Sequence, residues 1–303
     1  MKERILVTGK NGQLGFELQR SLGLFSNDGI EVIAVGTSDC NLAEVDAVRT
    51  LIREIRPRVI VNAAAYTAVD KAESEPELAM AVNGVAPGVL GEEAARIGAW
   101  VVHYSTDYVF DGKSQQPYRE DDATNPLSVY GRSKRAGEVA LQESGAQHLI
   151  LRTSWVLGAH GGNFAKTILR LAAERESLNV VADQFGAPTS TALLADATAQ
   201  LIRQAYTDGE TNFSFGLYHL AASGETHWCD YARFVVGEAL AAGAKLKLQP
   251  DAINPITTAD YPLPAPRPAN SRLNTEKFRH AFGMPLPHWQ DGVRQVIRQV
   301  LST

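Results

Sequence analysis

The stretch that decides the fold lies near the start of the chain and reads Ile5-Leu6-Val7-Thr8-Gly9-Lys10-Asn11-Gly12-Gln13-Leu14-Gly15. Three apolar residues run straight into a glycine-rich turn, and Leu14, Leu18 and Leu22 then recur on one helix face. Glycines in such a turn let the backbone bend tightly and come close to a ligand, while the following helix offers free N–H groups to phosphates. The stretch therefore predicts a buried strand, a dinucleotide-binding turn and an amphipathic helix.

Further strands and helices alternate along the first half of the chain. Four short apolar runs predict strands that are buried on both faces: residues 32–35, 59–61, 100–102 and 149–151. Between two of them, apolar residues recur at helical spacing from Val45 to Ile55, and Pro57 ends that helix. Strands joined by helices of this length imply right-handed crossovers. We therefore expect an α/β fold with a Rossmann-like, doubly wound parallel sheet.

The second half of the chain has a less regular pattern. Residues 158–162 are loop-like, and the prolines at positions 255, 262, 264, 266 and 268 exclude a central strand or helix there. One apolar face predicts a final helix from Trp289 to Val300. We expect a dinucleotide-binding domain over residues 1–155, to which residues 190–225 return, and a smaller C-terminal substrate lobe over residues 156–303.

Composition limits the class of protein. The chain has 303 residues and a net charge of -5, from 29 Lys plus Arg and 34 Asp plus Glu, which argues against a nucleic-acid partner. Its two cysteines, Cys40 and Cys229, are expected to be free thiols. The apolar run at the N-terminus is too short for a signal peptide, and no run of about 18 apolar residues predicts a membrane span. We therefore expect a cytoplasmic protein without membrane contact.

The end of the second predicted strand bears on the choice of dinucleotide. Enzymes that use NAD usually carry an acidic residue there for the ribose hydroxyls of the adenosine. This chain has Val35-Gly36-Thr37-Ser38 instead, with Asp39 one residue further on. No acid at the turn repels a 2′-phosphate, and no arginine is placed to bind one. The sequence is therefore compatible with NADPH or NADH.

Tyr130 and Lys134 form a Tyr-x-x-x-Lys pair that suits hydride chemistry. The two residues are four apart at the start of a predicted helix and therefore share one face. Reduction of a ketone leaves an oxygen that needs a proton, and a phenol with a pKa of about 10 exchanges protons poorly at neutral pH. A neighbouring ammonium should lower the pKa of Tyr130 by about two to three units. Thr106, which ends the fourth predicted strand, is the expected donor to the carbonyl, with Ser105 as its rival.

Several motifs together resemble the extended short-chain dehydrogenases/reductases. They are the glycine motif, the segments at 62–70 and 105–110, and the Tyr-Lys pair. The segments at 152–155, 163–166, 183–189 and 267–273 are similar, more narrowly, to the dTDP-4-dehydrorhamnose reductase family, and the resemblance covers essentially the whole chain. It implies reduction of the C4 ketone of dTDP-4-dehydro-β-L-rhamnose to dTDP-β-L-rhamnose, a step toward cell-surface polysaccharides.

The resemblance also implies roles for individual residues. Catalysis would fall on Thr106, Tyr130 and Lys134. Cofactor contacts would fall on Gly9, Gly12, Gln13, Leu14, Gly15, Asn41, Leu42, Ala65, Tyr66, Thr67, Tyr130 and Lys134. The dTDP-sugar would be contacted by Thr106, Asp107, Trp155, Pro188, Arg267 and Arg272. The last three are expected near the diphosphate, where an arginine can pair with phosphate oxygens.

Two departures from the family pattern matter. Asn41 precedes Leu42 where members usually have Asp, which removes one charge near the adenosine. Some members dimerise around Mg²⁺ through clustered glutamates; Glu17 fits that pattern, but Ala192 and Gln290 occupy the matching later positions. These residues argue against a Mg²⁺ site, and the histidines show no spacing for zinc. We therefore expect no metal and a monomer or weak homodimer.

Two other functions stay open at this point. A related sugar-nucleotide reductase or epimerase would carry the same motifs, although an epimerase regenerates its cofactor in each cycle. A non-catalytic cofactor-binding regulatory subunit would share the fold, since fold does not dictate function. The joint presence of Thr106 and the Tyr-Lys pair favours the reductase.

Overall fold

The computed structural model describes residues 3–302. Its strands are β1 (Arg4–Thr8), β2 (Glu31–Val35), β3 (Val59–Asn62), β4 (Trp100–Thr106), β5 (His148–Thr153), β6 (Val156–Leu157), β7 (Leu178–Val181), β8 (Phe185–Gly186), β9 (Thr189–Ser190), β10 (Gly216–His219), β11 (Thr226–His227) and β12 (Ile253–Ile256). Its α-helices are α1 (Gln13–Gly23), α2 (Val45–Ile55), α3 (Val69–Ala72), α4 (Pro76–Met80), α5 (Ala86–Ile97), α6 (Val129–Glu143), α7 (Phe164–Glu174), α8 (Thr191–Asp208), α9 (Trp228–Ala241), α10 (Glu276–Phe282) and α11 (Trp289–Leu301). A π-helical turn, Ala81–Val85, joins α4 to α5. Short 3₁₀ turns lie at Leu24–Asp28, Asp107–Val109, Pro250–Ala252 and Thr258–Asp260.

The first lobe is built on a parallel sheet. Within residues 3–302 it has six strands, in the order β10-β5-β4-β3-β1-β2. Successive side chains of β1 face opposite sides: Ile5 and Val7 pack with α1 and α8, whereas Leu6 packs with α2, α5 and α6. Helices therefore cover both faces of the sheet. The predicted Rossmann-like, doubly wound fold is confirmed, and β1 to β5 lie where the apolar runs predict strands.

The sheet is completed by segments that come late in the chain. β10 pairs with β5, and α8 packs against α1. Phe278 and Phe282 of α10 join the same core and contact the ring of Tyr218 on β10. The chain thus leaves the first lobe after β5 and returns to it twice, although the boundary at residue 155 stays a prediction.

The second lobe is smaller and less regular. Its strands form two-stranded sheets, in which β6 pairs with β9, β7 with β12, and β8 with β11. Its core gathers the apolar faces of α7, α9 and α11, where Tyr231, Val235 and Val293 are fully buried. Pro255 lies in β12, within the stretch predicted to be irregular, and it is tolerated because β12 pairs only along β7 in this small sheet.

Three further observations concern thiols, membranes and metals. Cys40 and Cys229 are buried free thiols, as predicted. None of the helices within residues 3–302 is long and apolar enough to span a membrane. The same residues contain no group of three or more His, Cys, Asp or Glu side chains that could hold a metal ion. Glu17, the glutamate that fits the Mg²⁺ pattern, pairs instead with Arg20 at 2.8 Å.

Candidate active site

The glycine turn after β1 leaves no room for side chains at two positions. Gly9 has a φ of 79°, and a Cβ there would lie 2.7 Å from the backbone nitrogen of Ala64. A Cβ on Gly15 would overlap the carbonyl oxygen of Gly9. Helix α1 begins at Gln13, and its N-cap residue, Gly12, brings no side chain to the first N–H groups. This turn and uncapped helix start fit the pyrophosphate of a dinucleotide, which the backbone amides would hold.

The first two residues of α1 point in different directions. Oε1 of Gln13 accepts hydrogen bonds from the backbone nitrogen of Gly158 at 3.0 Å and from Nδ2 of Asn163 at 2.9 Å. Leu14 packs instead against the core of the first lobe. The glycine turn is therefore tied directly to the segment that opens the second lobe, while cofactor contacts of Gln13 and Leu14 stay predictions.

A cation and a carboxylate meet at the end of β2. Nζ of Lys10 lies 2.6 Å from Oδ2 of Asp39, which also accepts a hydrogen bond from the backbone nitrogen of Gly36 at 2.7 Å. That backbone hydrogen bond and Lys10 together lower the pKa of Asp39. Asn41 hydrogen-bonds within its own turn, and Leu42 is buried. Lys10, which can pair with a phosphate, and Asp39, which can accept hydrogen bonds from hydroxyls, thus lie side by side where the adenosine ribose is expected.

Asn83 fixes the loop that follows β3. Its side chain accepts a hydrogen bond from the N–H of Tyr66 at 2.8 Å and donates to the Tyr66 carbonyl at 2.9 Å and to Oγ of Ser133 at 3.1 Å. Ser133 in turn donates to the carbonyl of Tyr130 at 2.8 Å. Asn83 is buried in the π-helical turn, a distortion that is common at functional sites. Residues 65–67, all predicted cofactor contacts, are thereby held beside α6.

We expect Asn83→Ala to weaken NADPH binding by about 5- to 30-fold, as measured by calorimetric titration. The partly buried backbone groups of Tyr66 would lose partners, which costs about 1–2 kcal/mol and frees the loop. Asn254→Ala is the matched control, because Asn254 is exposed and contacts Asn179 at the surface. An unchanged Kd in a folded Asn83→Ala protein would contradict this role of Asn83.

Strand β4 ends in a hydroxyl and a carboxyl group. Oγ1 of Thr106 donates to Oδ1 of Asp107 at 3.0 Å and accepts from the N–H of Tyr108 at 3.2 Å. Burial raises the pKa of Asp107 to about 6, although the nearby hydroxyls of Ser271 and Thr106 oppose this. Oδ2 of Asp107 has no hydrogen-bond partner among the described residues. A buried carboxyl oxygen left open at the end of a parallel strand is a ready acceptor for a ligand hydroxyl.

Tyr130 lies on the first turn of α6, next to Thr106. Burial raises the pKa of Tyr130 to about 12, although the Thr106 hydroxyl lowers it in part. The expectation that Lys134 lowers this pKa is wrong for the structure, because Nζ of Lys134 donates to the carbonyl of Tyr104 at 2.6 Å. The ring of Tyr108 packs edge-on against Tyr130, with centroids 5.4 Å apart. The phenol therefore keeps its proton at neutral pH, which is the form that can donate one.

Trp155 is held in a strained conformation after β5. Its φ of 47° lies in the left-handed region, which residues other than glycine rarely adopt. Its ring stacks on Trp228 with centroids 3.7 Å apart, and a Cβ on Gly186 would lie 2.6 Å from it. Trp228 is itself fixed by a 3.0 Å hydrogen bond to Gln184. A rigid, half-buried aromatic face of this kind suits contact with a sugar ring.

Pro188, Arg267 and Arg272, the three residues expected near a diphosphate, contact other groups of the protein. Pro188 is buried. Arg267 pairs with Asp70 at 2.7 Å, and its charge acts on nearby Tyr108. Arg272 is held by three groups: Asn270, Glu225 and the carbonyl of Gln115. Phosphate binding by these arginines therefore stays a prediction, and for Arg267 it requires Asp70 to share or release the guanidinium.

Four polar residues that support the site have no role assigned from the sequence: Lys10, Asn62, Asn83 and His103. Asn62 and His103 stand in strands that are otherwise largely apolar, and a polar residue inside such a run is the signal that could have indicated them. Lys10 and Asn83 give no such signal, because their partners come from distant parts of the chain.

A Rossmann-like sheet with a glycine turn after β1 and a Tyr-x-x-x-Lys helix at its carboxyl edge defines the short-chain dehydrogenases/reductases. The reductases among them are NAD(P)H-dependent oxidoreductases. Residues 2–302 of this chain match the family model described as RmlD substrate binding domain. The chain belongs to that family. Its relatives include dTDP-4-dehydrorhamnose reductases.

Relatives of this chain resemble it over almost their full length. The dTDP-4-dehydrorhamnose reductase of Escherichia coli is 52% identical over 301 residues, which cover 99% of this chain and 98% of that one. The structure of dTDP-4-dehydrorhamnose reductase from Clostridium acetobutylicum has a TM-score of 0.89 and 34% identity, covering 99% of this chain and 100% of that one. The same enzyme from Bacillus anthracis, in complex with NADP, has a TM-score of 0.87 and 34% identity, covering 100% of both chains.

Proposed function

We propose that this chain reduces the C4 ketone of dTDP-4-dehydro-β-L-rhamnose to dTDP-β-L-rhamnose, with NADPH or NADH as the hydride source. The observation that carries the proposal is the pairing of Tyr130 with Thr106 at the carboxyl edge of the sheet, in a chain that matches dTDP-4-dehydrorhamnose reductases from end to end. The NADP in the Bacillus anthracis relative supports a nicotinamide cofactor.

The side chains of the site would divide the chemistry between them. The nicotinamide, when bound, supplies a hydride to C4. Tyr130 then gives its proton to the ketone oxygen, and Thr106, next to the same phenol, orients that oxygen. Lys134, whose Nζ bonds the Tyr104 carbonyl rather than the phenol, would hold the ribose of the cofactor and so position the nicotinamide. Asp107 would accept a sugar hydroxyl at Oδ2, and Trp155 would pack against the sugar ring.

The pair formed by Lys10 and Asp39 supports the use of either cofactor. Lys10 is close enough to the end of β2 to pair with a 2′-phosphate, and Asp39 is placed to accept hydrogen bonds from ribose hydroxyls. Since the two side chains neutralise one another without a ligand, neither form of the cofactor meets an unpaired like charge.

A spectrophotometric assay tests the proposal. With dTDP-4-dehydrorhamnose we expect oxidation of NADPH or NADH at 340 nm, about one cofactor per sugar, with a kcat of about 1–10³ s⁻¹. dTDP-glucose, which has no ketone, is the control and should consume no cofactor. Silence with both cofactors would overturn the assignment.

The same assay separates the two competing functions. A sugar-nucleotide epimerase regenerates its cofactor, so it would convert the sugar without net oxidation of NADPH. A non-catalytic cofactor-binding subunit would bind NADPH in a titration but convert no sugar nucleotide. Stoichiometric oxidation is therefore the result expected of the reductase alone.

The cellular compartment and the oligomeric state belong to the same proposal. The buried free thiols Cys40 and Cys229 support action in a reducing compartment, which we take to be the cytoplasm. Ala192 and Gln290, where a metal-bridged dimer would use carboxylates, support a monomer or weak homodimer.

A further inference from the structure

A row of buried polar side chains crosses the sheet beside the site. Thr8 of β1 lies opposite Asn62 of β3, and Asn62 lies opposite His103 of β4, each with 1% of its surface exposed. Oγ1 of Thr8 is 2.6 Å from Oδ1 of Asn62, and Nδ2 of Asn62 is 3.0 Å from Nδ1 of His103. The row ends at Lys134, whose Nζ is 3.3 Å from Nε2 of His103. Hydrogen-bonding distances thus run without a break from the glycine turn to the Tyr-Lys helix.

Lys134 is a buried cation with few acceptors. Its titratable and charged neighbours include Glu138 on α6 and His103 on β4. Its Nζ donates to the carbonyl of Tyr104 at 2.6 Å. Burial lowers the pKa of Lys134 to about 8, although the charge of Glu138 opposes this. An ammonium in such a place depends strongly on each acceptor that it finds.

We propose that His103 is a positioning residue for Lys134: the neutral ring accepts a hydrogen bond from the ammonium at Nε2 and so fixes Nζ beside the cofactor. The proposal rests on the proposed function in so far as Lys134 serves catalysis. Burial, together with the charges of Lys134 and of His148 on β5, lowers the pKa of His103 well below its usual value. The ring is therefore neutral at physiological pH and has one nitrogen that accepts and one that donates.

Asn62 supplies the partner that this tautomer needs. An ammonium has only donors, so Nε2 must accept and Nδ1 must carry the ring proton. A half-turn of the Asn62 amide exchanges Oδ1 and Nδ2 and offers that proton an acceptor. Thr8 then accepts from the amide nitrogen, as a hydroxyl can accept or donate. In the competing arrangement Nε2 of His103 carries the ring proton and donates a hydrogen bond to the uncharged amine of Lys134.

Two substitutions of His103 separate the two contacts of its ring. A glutamine amide reaches about as far as Nε2, so His103→Gln keeps an acceptor for Lys134. An asparagine amide reaches only about as far as Nδ1, so His103→Asn keeps the contact with Asn62 and loses the one with Lys134. His280→Gln is the matched control, because His280 is exposed on α10.

The readout is the pH dependence of kcat, at saturating NADPH and sugar nucleotide, between about pH 6 and pH 10. Wild-type activity should fall on the alkaline side as Lys134 loses its proton. In His103→Asn the charged form of Lys134 loses a partner, so this fall should move to lower pH by about one unit, a tenfold change in proton concentration. His103→Gln and His280→Gln should leave the alkaline fall in place.

Three results would overturn the proposal. His103 would be a packing residue if the alkaline fall of kcat stayed in place in His103→Asn. The same conclusion would follow if the fall moved equally in His103→Asn and His103→Gln. A move to higher pH would mean that Nε2 donates to Lys134. A ¹⁵N spectrum of the histidine-labelled wild-type protein with NADPH needs no variant: His103 should carry its proton on Nδ1, and a proton on Nε2 would refute the idea. Because this spectrum needs no turnover, a missing reductase activity would sink the proposed function alone.

Discussion

Tyr130→Phe should lower kcat by about 10²- to 10⁴-fold while the Kd of NADPH stays within about twofold. The substitution removes one oxygen and keeps the ring that packs edge-on against Tyr108. It takes away the proton donor next to Thr106, and the loss corresponds to about 3–5 kcal/mol of transition-state stabilisation. Initial rates of cofactor oxidation and a titration with NADPH measure the two quantities.

Tyr206→Phe is the matched control for this experiment. Tyr206 lies on α8 beside Arg58 and Phe25, in contact with neither Thr106 nor Tyr130, so its rate should match that of the wild type. If Tyr130→Phe turned over near the wild-type rate, another group would have to supply the proton. In that case the assignment of Tyr130 would be withdrawn.

Glu138→Ala should lower the free energy of unfolding by about 3–5 kcal/mol at pH 7. Both oxygens of the buried Glu138 carboxylate bond the guanidinium of Arg152 at 2.8 Å, and Arg135 adds a contact at 2.9 Å. Arg152 is 2% exposed and lies over the ring of Phe110, so removal of its partner leaves a poorly hydrated charge. Urea titration followed by circular dichroism measures the difference.

The cost of Glu138→Ala should also depend on pH. Burial disfavours the ionised form of Glu138, but the hydrogen bonds and charge of Arg152 outweigh it, and the pKa is lowered overall. A carboxyl whose folded pKa is depressed stabilises the fold above its unfolded pKa of about 4.3 and loses this contribution as pH falls through the folded value. The gap between wild type and variant should therefore narrow below about pH 4.

Two control proteins make the stability result specific. Glu174→Ala breaks an ion pair in which Arg170 and Glu174 are 62% and 57% exposed, and it should leave the urea midpoint nearly unchanged. The double variant Glu138→Leu with Arg152→Met leaves no unpaired charge that is fully buried, because Arg135 is 31% exposed, so it should cost less than Glu138→Ala. A double variant that is less stable than the single one would contradict this account of the pair.

Local patterns explain how much of the fold could be predicted. β1 to β5 carry continuous apolar runs, and α2 ends just before Pro57, so both kinds of element follow from the residues themselves. β6, β8, β9 and β11 are two residues long, which is too short for any periodicity. β10 could not be placed beside β5, because that pairing depends on how the chain returns from the second lobe.

The same distinction between local patterns and contacts of distant segments applies to the residues of the site. The glycine turn and the Tyr-Lys pair are spacings within one element, so the sequence shows them directly. The contacts of Lys10 with Asp39 and of Arg267 with Asp70 join distant segments, and no local pattern indicates them. The pKa of Tyr130 depends on burial and on where Lys134 points, and both are properties of the folded molecule.

The late completion of the sheet bears on how the protein is made. A ribosome releases β1 to β5 long before β10, and α10 follows only after the second lobe has emerged. Until then β5 has an unpaired edge, and the apolar surface that receives Phe278 and Phe282 is uncovered. The nucleotide-binding half therefore cannot mature during synthesis as an independent unit, and the two lobes must reach their final form together.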